Sequence, residues 1–118
     1  MAPSASAPSV KLKRRAEFLA VAGKGRKAPS PGLVLQVLRR DDAEPARLGF
    51  TVTKKVGNAV RRNRTRRRLR AAARDVLAAQ TVAGVDLVLI GRDGTAKRPF
   101  DALKDDFRKL LTKLGVSA

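Results

Sequence analysis

KKVGNAVRRNRTRRRLRAAAR, residues 54–74, holds ten of the chain's 27 basic residues and no acid. Gly57-Asn58 breaks any preceding strand, and the residues after it have the periodicity of a helix. Asn58 is a good N-cap, because its side-chain oxygen can accept from an otherwise unpaired N–H of the first turn. The helix is expected from about Ala59 to Gln80. At roughly 100° per residue, Thr65, Leu69, Ala72, Ala73 and Val76 fall on one side and are expected to lie on a sheet. Asn63, Arg64, Arg67, Arg70 and Arg74 fall opposite, with Arg61 and Arg68 on one flank and Arg62 and Arg66 on the other. The first two turns have almost no apolar surface, so the helix start should project beyond the sheet. A merely solvated helix intersperses acids at i±4 to relieve repulsion, and none occurs here before Asp75. A polyanion that supplies counter-charge and releases its own condensed ions would offset that repulsion. Nucleic acid is the first expectation.

Outward from this segment the pattern is mixed. RLGFTVTKK (47–55) alternates Leu48, Phe50 and Val52 against Gly49, Thr51 and Thr53, the mark of a strand with one buried and one solvated face. LVLQVLR (33–39) is a strand by length and β-branched content, and RDDAEPA (40–46) supplies turn chemistry, so the two strands read as an antiparallel hairpin. Residues 23–32, GKGRKAPSPG, are dense in turn formers and can hold at most a very short edge strand. From Val10 to Ala22, Leu12, Ala16, Leu19 and Ala20 recur at helical spacing with Phe18 beside them. DLVLIGR (86–92) is a short buried strand, and Asp93-Gly94 a turn. Pro99 suits the first position of a last helix, whose Phe100, Leu103, Phe107, Leu110, Leu111 and Leu114 form an apolar stripe. Residues 1–9 are expected to be a mobile tail and 10–118 one domain, a small α+β sandwich.

Composition bounds the function. The 118 residues suffice for one core, and a net charge of +17 points to a phosphate backbone or an anionic surface. No apolar run approaches the roughly 20 residues that span a bilayer, and the N-terminus lacks the apolar centre of a secretory signal. No membrane partner and a cytoplasmic location are expected. With no His, Cys or Tyr, the chain lacks thiolate and imidazole ligands and the usual nucleophile–base pairs, so no catalytic and no metal-binding residue is assigned. Asp41, Asp42 and Glu44 read as turn chemistry beside Pro45, and Asp105-Asp106 as a helix feature.

Lys54-Lys55-Val56-Gly57-Asn58-Ala59-Val60, then Arg62-Asn63-Arg64, Arg67 and Arg70, resembles the signature of the bacterial ribonuclease P protein subunit, a K-K-x-G-x-A-V turn leading into an R-N-R helix. Leu12 with Glu17-Phe18, the strand Gly49 to Lys55, the DLVLIGR strand and the amphipathic last helix fit as well, so the resemblance covers about residues 11–114. It implies the order α-β-β-β-α-β-α, the ribosomal protein S5 domain 2-like fold and a left-handed βαβ crossover. It also implies an accessory role. A catalytic RNA with magnesium would remove the 5′ leader of precursor tRNA, in a complex of one RNA and one protein, and the protein itself would bind no cofactor. By position, Lys54, Lys55, Asn58, Arg62, Asn63, Arg64, Arg67 and Arg70 would contact the RNA. Phe18, Val34 and Gln36 would line the leader cleft, although Phe18 fits a core position equally well. The chain departs from the family at Ala22 and Gln36, where aromatics are common, and at Arg68, where an apolar residue is usual. The rival from another class is an architectural RNA- or DNA-binding protein of ribosomal or nucleoid type, which shares the charge but does not require the gapped motif.

Overall fold

The computed structural model describes residues 10–12, 14–80 and 82–116; the expected tail, 1–9, lies outside them. Five strands form one sheet: β1 (Val10–Lys11), β2 (Arg26–Pro29), β3 (Leu33–Arg39), β4 (Arg47–Thr51) and β5 (Val85–Gly91). Three helices flank it: α1 (Arg15–Lys24), α2 (Ala59–Ala79) and α3 (Phe100–Lys113). Apart from the two-residue β1, this is the implied α-β-β-β-α-β-α order.

The strand order β1-β4-β5-β3-β2 overturns the expected β3–β4 hairpin. β5 separates the two, antiparallel to β3 and parallel to β4. The reason is burial. Six of the seven residues of VDLVLIG are buried, so this strand needs a neighbour on each edge and helices on both faces. The 40–46 connection instead passes the end of β5, where Arg40 N–H donates to Gly84 O at 2.7 Å and Gly84 N–H donates to Glu44 O at 2.8 Å. The actual hairpin is β2–β3, closed by Ser30, whose N–H and hydroxyl both donate to Leu33 O.

Alternation assigns the two faces. Leu33, Leu35, Val37, Val85, Leu87 and Leu89 meet Leu69, Ala72, Ala73 and Val76 of α2 and Leu103, Phe107, Leu110 and Leu111 of α3 in the main core. Phe107 is fully buried; truncating such a side chain to Ala costs about 3–5 kcal/mol. On the other face α1 covers only part of the sheet, with Leu12, Val21 and Val88 as a small second core.

Two boundaries and one strand face differ from expectation. α1 starts at Arg15 rather than Val10, because Val10–Lys11 pairs with Arg47–Leu48 and Leu12 N–H donates to Leu48 O at 2.8 Å. Its N-terminus is held by the Glu17 carboxylate, which accepts from Arg14 N–H at 3.0 Å. Pro99 stands just before α3 as its cap, with ψ near 140°, not at the first helical position. The second face of β4 is not simply solvated either, since Gly49 is buried beneath α1.

Candidate nucleic-acid interface

The turn into α2 is built locally. Val56 is buried and anchors a short 3-10 turn, Lys54–Val56, that leaves Lys54 and Lys55 exposed. Gly57 follows with φ +143°, a conformation that L side chains rarely adopt, and an added Cβ would run into the Arg61 side chain. Asn58 then caps the helix, its Oδ1 accepting from Arg61 N–H at 2.9 Å. Its side-chain oxygen is therefore engaged within the fold.

The residues buried along α2 are Thr65, Leu69, Ala72, Ala73 and Val76, the stripe expected from the sequence. No residue before Thr65 is buried, so the helix start does project. Asn63, Arg64, Arg67, Arg70 and Arg74 are all exposed on the opposite side. Asn63 Oδ1 accepts from Arg66 Nη1 at 3.1 Å, and the Arg70 guanidinium lies 5.4 Å from the Phe50 ring centroid. Arg62 is half-buried, with a buried Nε that has no hydrogen-bond partner. Among the described residues no basic side chain of α2 pairs with a carboxylate. The helix's single acid, Asp75, reaches Lys104 at 3.8 Å instead.

Arg68 has a different job. It donates through Nε to Thr95 O at 3.3 Å and through Nη2 to Arg98 O, and its guanidinium lies 6.0 Å from the Phe100 ring centroid. The residue that departs from the family pattern thus replaces apolar packing with a staple on the loop before α3. Asp106 also exceeds the expectation of a helix feature. It is buried and accepts from Arg98 Nε at 2.7 Å and Nη2 at 3.1 Å.

The remaining charges gather at the opposite end of the sheet. Asp86, 2 % exposed, accepts from Arg40 Nη1 at 2.5 Å and from Arg47 Nε and Nη2 at 2.7 and 2.6 Å, while Arg47 Nη1 reaches Glu17 at 2.6 Å. Burial pushes the Asp86 carboxyl up, but the hydrogen bonds and charges of Arg47 and Arg40 outweigh it and hold the group below the usual carboxylate range. Asp42 is likewise held low, chiefly by Arg40, and its Oδ1 accepts from Glu44 N–H at 3.0 Å, the turn chemistry expected. Among the described residues no three acids come together in a way that could hold a metal ion.

Phe18, Val34 and Gln36 share the α1 face of the sheet. Val34 is registered with Ile90, and Gln36 with Val88 and Lys27. The Phe18 ring lies over Gly49, where any Cβ would overlap it. It is half-buried and packed on the small core, as is Ile90. The register adds Thr51 and Ile90 to that face. Alternation alone marked Thr51 as solvated and could not show which side of an apolar β5 Ile90 would take.

A family model for ribonuclease P matches residues 7–115. The protein component of ribonuclease P from Gluconacetobacter diazotrophicus is 69% identical over 106 residues, covering 90% of this chain and 91% of that protein. The one from Paramagnetospirillum magneticum is 48% identical, covering 90% and 83%. The chain belongs to the ribonuclease P protein family. A solved structure of the ribonuclease P protein from Thermotoga maritima superposes with TM-score 0.74 at 25% identity, covering 87% of this chain and 96% of that one. In this chain the outer face of α2 carries arginines with no carboxylate partner among the described residues, and α1 packs on the other face of the sheet. No helix among the described residues is long and apolar enough to cross a membrane.

Proposed function

We propose that the chain is the accessory subunit of an RNA catalyst that removes the 5′ leader of precursor tRNA and leaves a 5′-phosphate. One protein would bind one RNA, in the cytoplasm. The observation that carries this reading is the acid-free face of α2: Lys54, Lys55, Arg64 and Arg67 lie exposed with no carboxylate partner among the described residues. Guanidinium forks suit the phosphates of a structured RNA, and Arg62, Asn63 and Arg70 extend the same surface. Asn58 serves it indirectly, by fixing the first turn.

The protein's own residues do not fit a magnesium site. Magnesium takes oxygen ligands, the chain's described acids form no cluster of three, and the proposed interface is cationic. We assign the metal to the RNA, where it would activate water and stabilise the leaving oxygen. The chain's contribution is to neutralise phosphates that fold against one another and to hold the leader. Val34, Gln36 and Phe18, with few charges, offer a single strand of variable sequence one ring, one amide and apolar contact.

The test is cleavage of precursor tRNA by the catalytic RNA at low magnesium, with and without the protein. Added protein is expected to restore cleavage and to tighten binding of leader-bearing precursor over mature tRNA. Phe18→Leu should narrow that preference by the worth of one stacked base, about 1–3 kcal/mol. Robust hydrolysis by RNA-free protein, or no stimulation of the RNA, would overturn the proposal in favour of a protein nuclease or an architectural binder respectively.

A further inference from the structure

Between the first turn of α2 and the loop before α3 lies a groove of about 420 Å³, lined by Asn58, Val60, Arg61, Arg64, Ala96 and Lys97. That size falls within the range of small-molecule clefts, roughly 300–1,000 Å³. Its apolar lining is Val60 and Ala96, and Val60 stands 77 % exposed in the middle of the most basic segment of the chain. Its rim is cationic and holds no acid, and Arg61, Arg64 and Lys97 have no ion-pair partner among the described residues.

The second wall is fixed. Thr95 is fully buried; its hydroxyl donates to Gly32 O at 2.6 Å and accepts from Arg92 N–H at 2.8 Å. Lys97 N–H and Arg98 N–H both donate to Gly94 O, at 3.1 and 3.0 Å. Arg68 clamps the same loop from α2 through the carbonyls of Thr95 and Arg98. The loop that carries Ala96 and Lys97 is thereby fastened to α2 beside Val60 and Arg64 in the same groove lining.

Cations alone would serve a duplex backbone, which has no use for an apolar floor. A base taken out of its stack needs that floor, and its phosphate needs the rim. We propose that the groove receives one unstacked nucleotide of the catalytic RNA, its base on Val60 and Ala96 and its phosphate among Arg61, Arg64 and Lys97. This rests on the reading that α2 faces the catalytic RNA, and it brings the loop before α3 into that interface.

The chain has no Cys, so Val60→Cys gives a single attachment point for a photo-crosslinker. In the holoenzyme made with the cognate catalytic RNA, the crosslink is expected at an unpaired nucleotide. Two further variants measure the groove itself. Ala96→Trp fills it and should raise the Kd for the RNA about tenfold, the scale of one base contact. Lys97→Ala should flatten the log K against log salt slope by somewhat under one unit. Circular dichroism and thermal unfolding establish that each variant is folded. If Arg64→Ala weakens RNA binding while Ala96→Trp and Lys97→Ala leave it unchanged, the groove is empty and the inference falls, but the RNA-facing role of α2 stands. A crosslink confined to continuous duplex overturns the inference as well. If Arg64→Ala also has no effect, the proposed function itself is wrong.

Discussion

Arginine is used in two opposite ways at the two ends of this small sheet. At the end where β3 finishes and β4 and β5 begin, Arg40 and Arg47 converge on the buried Asp86, and Arg47 also grips Glu17 of α1. At the other end, Arg61, Arg64 and Arg67 project from α2 with no carboxylate among the described residues. The first set satisfies a buried charge and ties α1 to the sheet. The second has no counter-charge among the described residues, and the proposed function gives it a partner in RNA. Residue type alone does not separate them; the presence of an acid within reach does.

The largest expected effect comes from breaking the paired set. Asp86→Ala would remove the buried anion that Arg40 and Arg47 share and leave them only the more exposed Asp42 and Glu17. Removal of one member of a buried ion pair costs about 3–5 kcal/mol. Urea unfolding should show a loss of that size. A loss under about 1 kcal/mol would mean that Asp42 and Glu17 suffice for Arg40 and Arg47, and the contrast between the two ends would shrink accordingly.

Acid should reveal the same network more gently. The Asp86 carboxyl is held low in the folded chain, so the unfolded chain takes up its proton first, near pH 3.9. The stability it contributes is present above that value and is lost as pH falls from there through the folded-state value. Wild type should therefore lose stability on going from about pH 5 to pH 3 faster than Asp86→Ala does. Parallel curves would show that the Asp86 carboxyl titrates alike in the folded and unfolded chain. Asp42 also has a lowered pKa, but its exposure leaves its share screened by solvent.

The smallest effect on the fold is expected at the unpaired end. Arg64→Ala with Arg67→Ala should change stability by about 0.5 kcal/mol or less for each substitution. The same pair should flatten the salt dependence of assembly with the ribonuclease P RNA by somewhat under one unit per lost phosphate contact. Thermal unfolding and a salt titration of the same sample measure both. A double variant that unfolds at room temperature would place these residues in the structural set.

The sequence is most legible where structure is local. The buried stripe of α2, its Asn58 cap and its projecting first turns all derive from helical periodicity and one side-chain hydrogen bond. The last helix is readable from its apolar stripe in the same way. The start of α1 is not, because Leu12 fits the helical spacing yet pairs by its backbone with β4. On the sheet, simple alternation places Val34 and Gln36 on one face, but Ile90 and Thr51 join them only through register with β5.

What the sequence by itself determined is therefore the basic helix: which side is buried, which side is charged, and that no acid in its first turns offsets the charge. These depend on residues within a few positions of one another. The tertiary structure alone decided that β5 separates β3 from β4, that Arg68 staples the loop before α3, and that Asp86 holds Arg40 and Arg47. Each of those is a competition among distant partners, settled by which strand most needs burial on both faces and which buried polar group most needs a hydrogen bond.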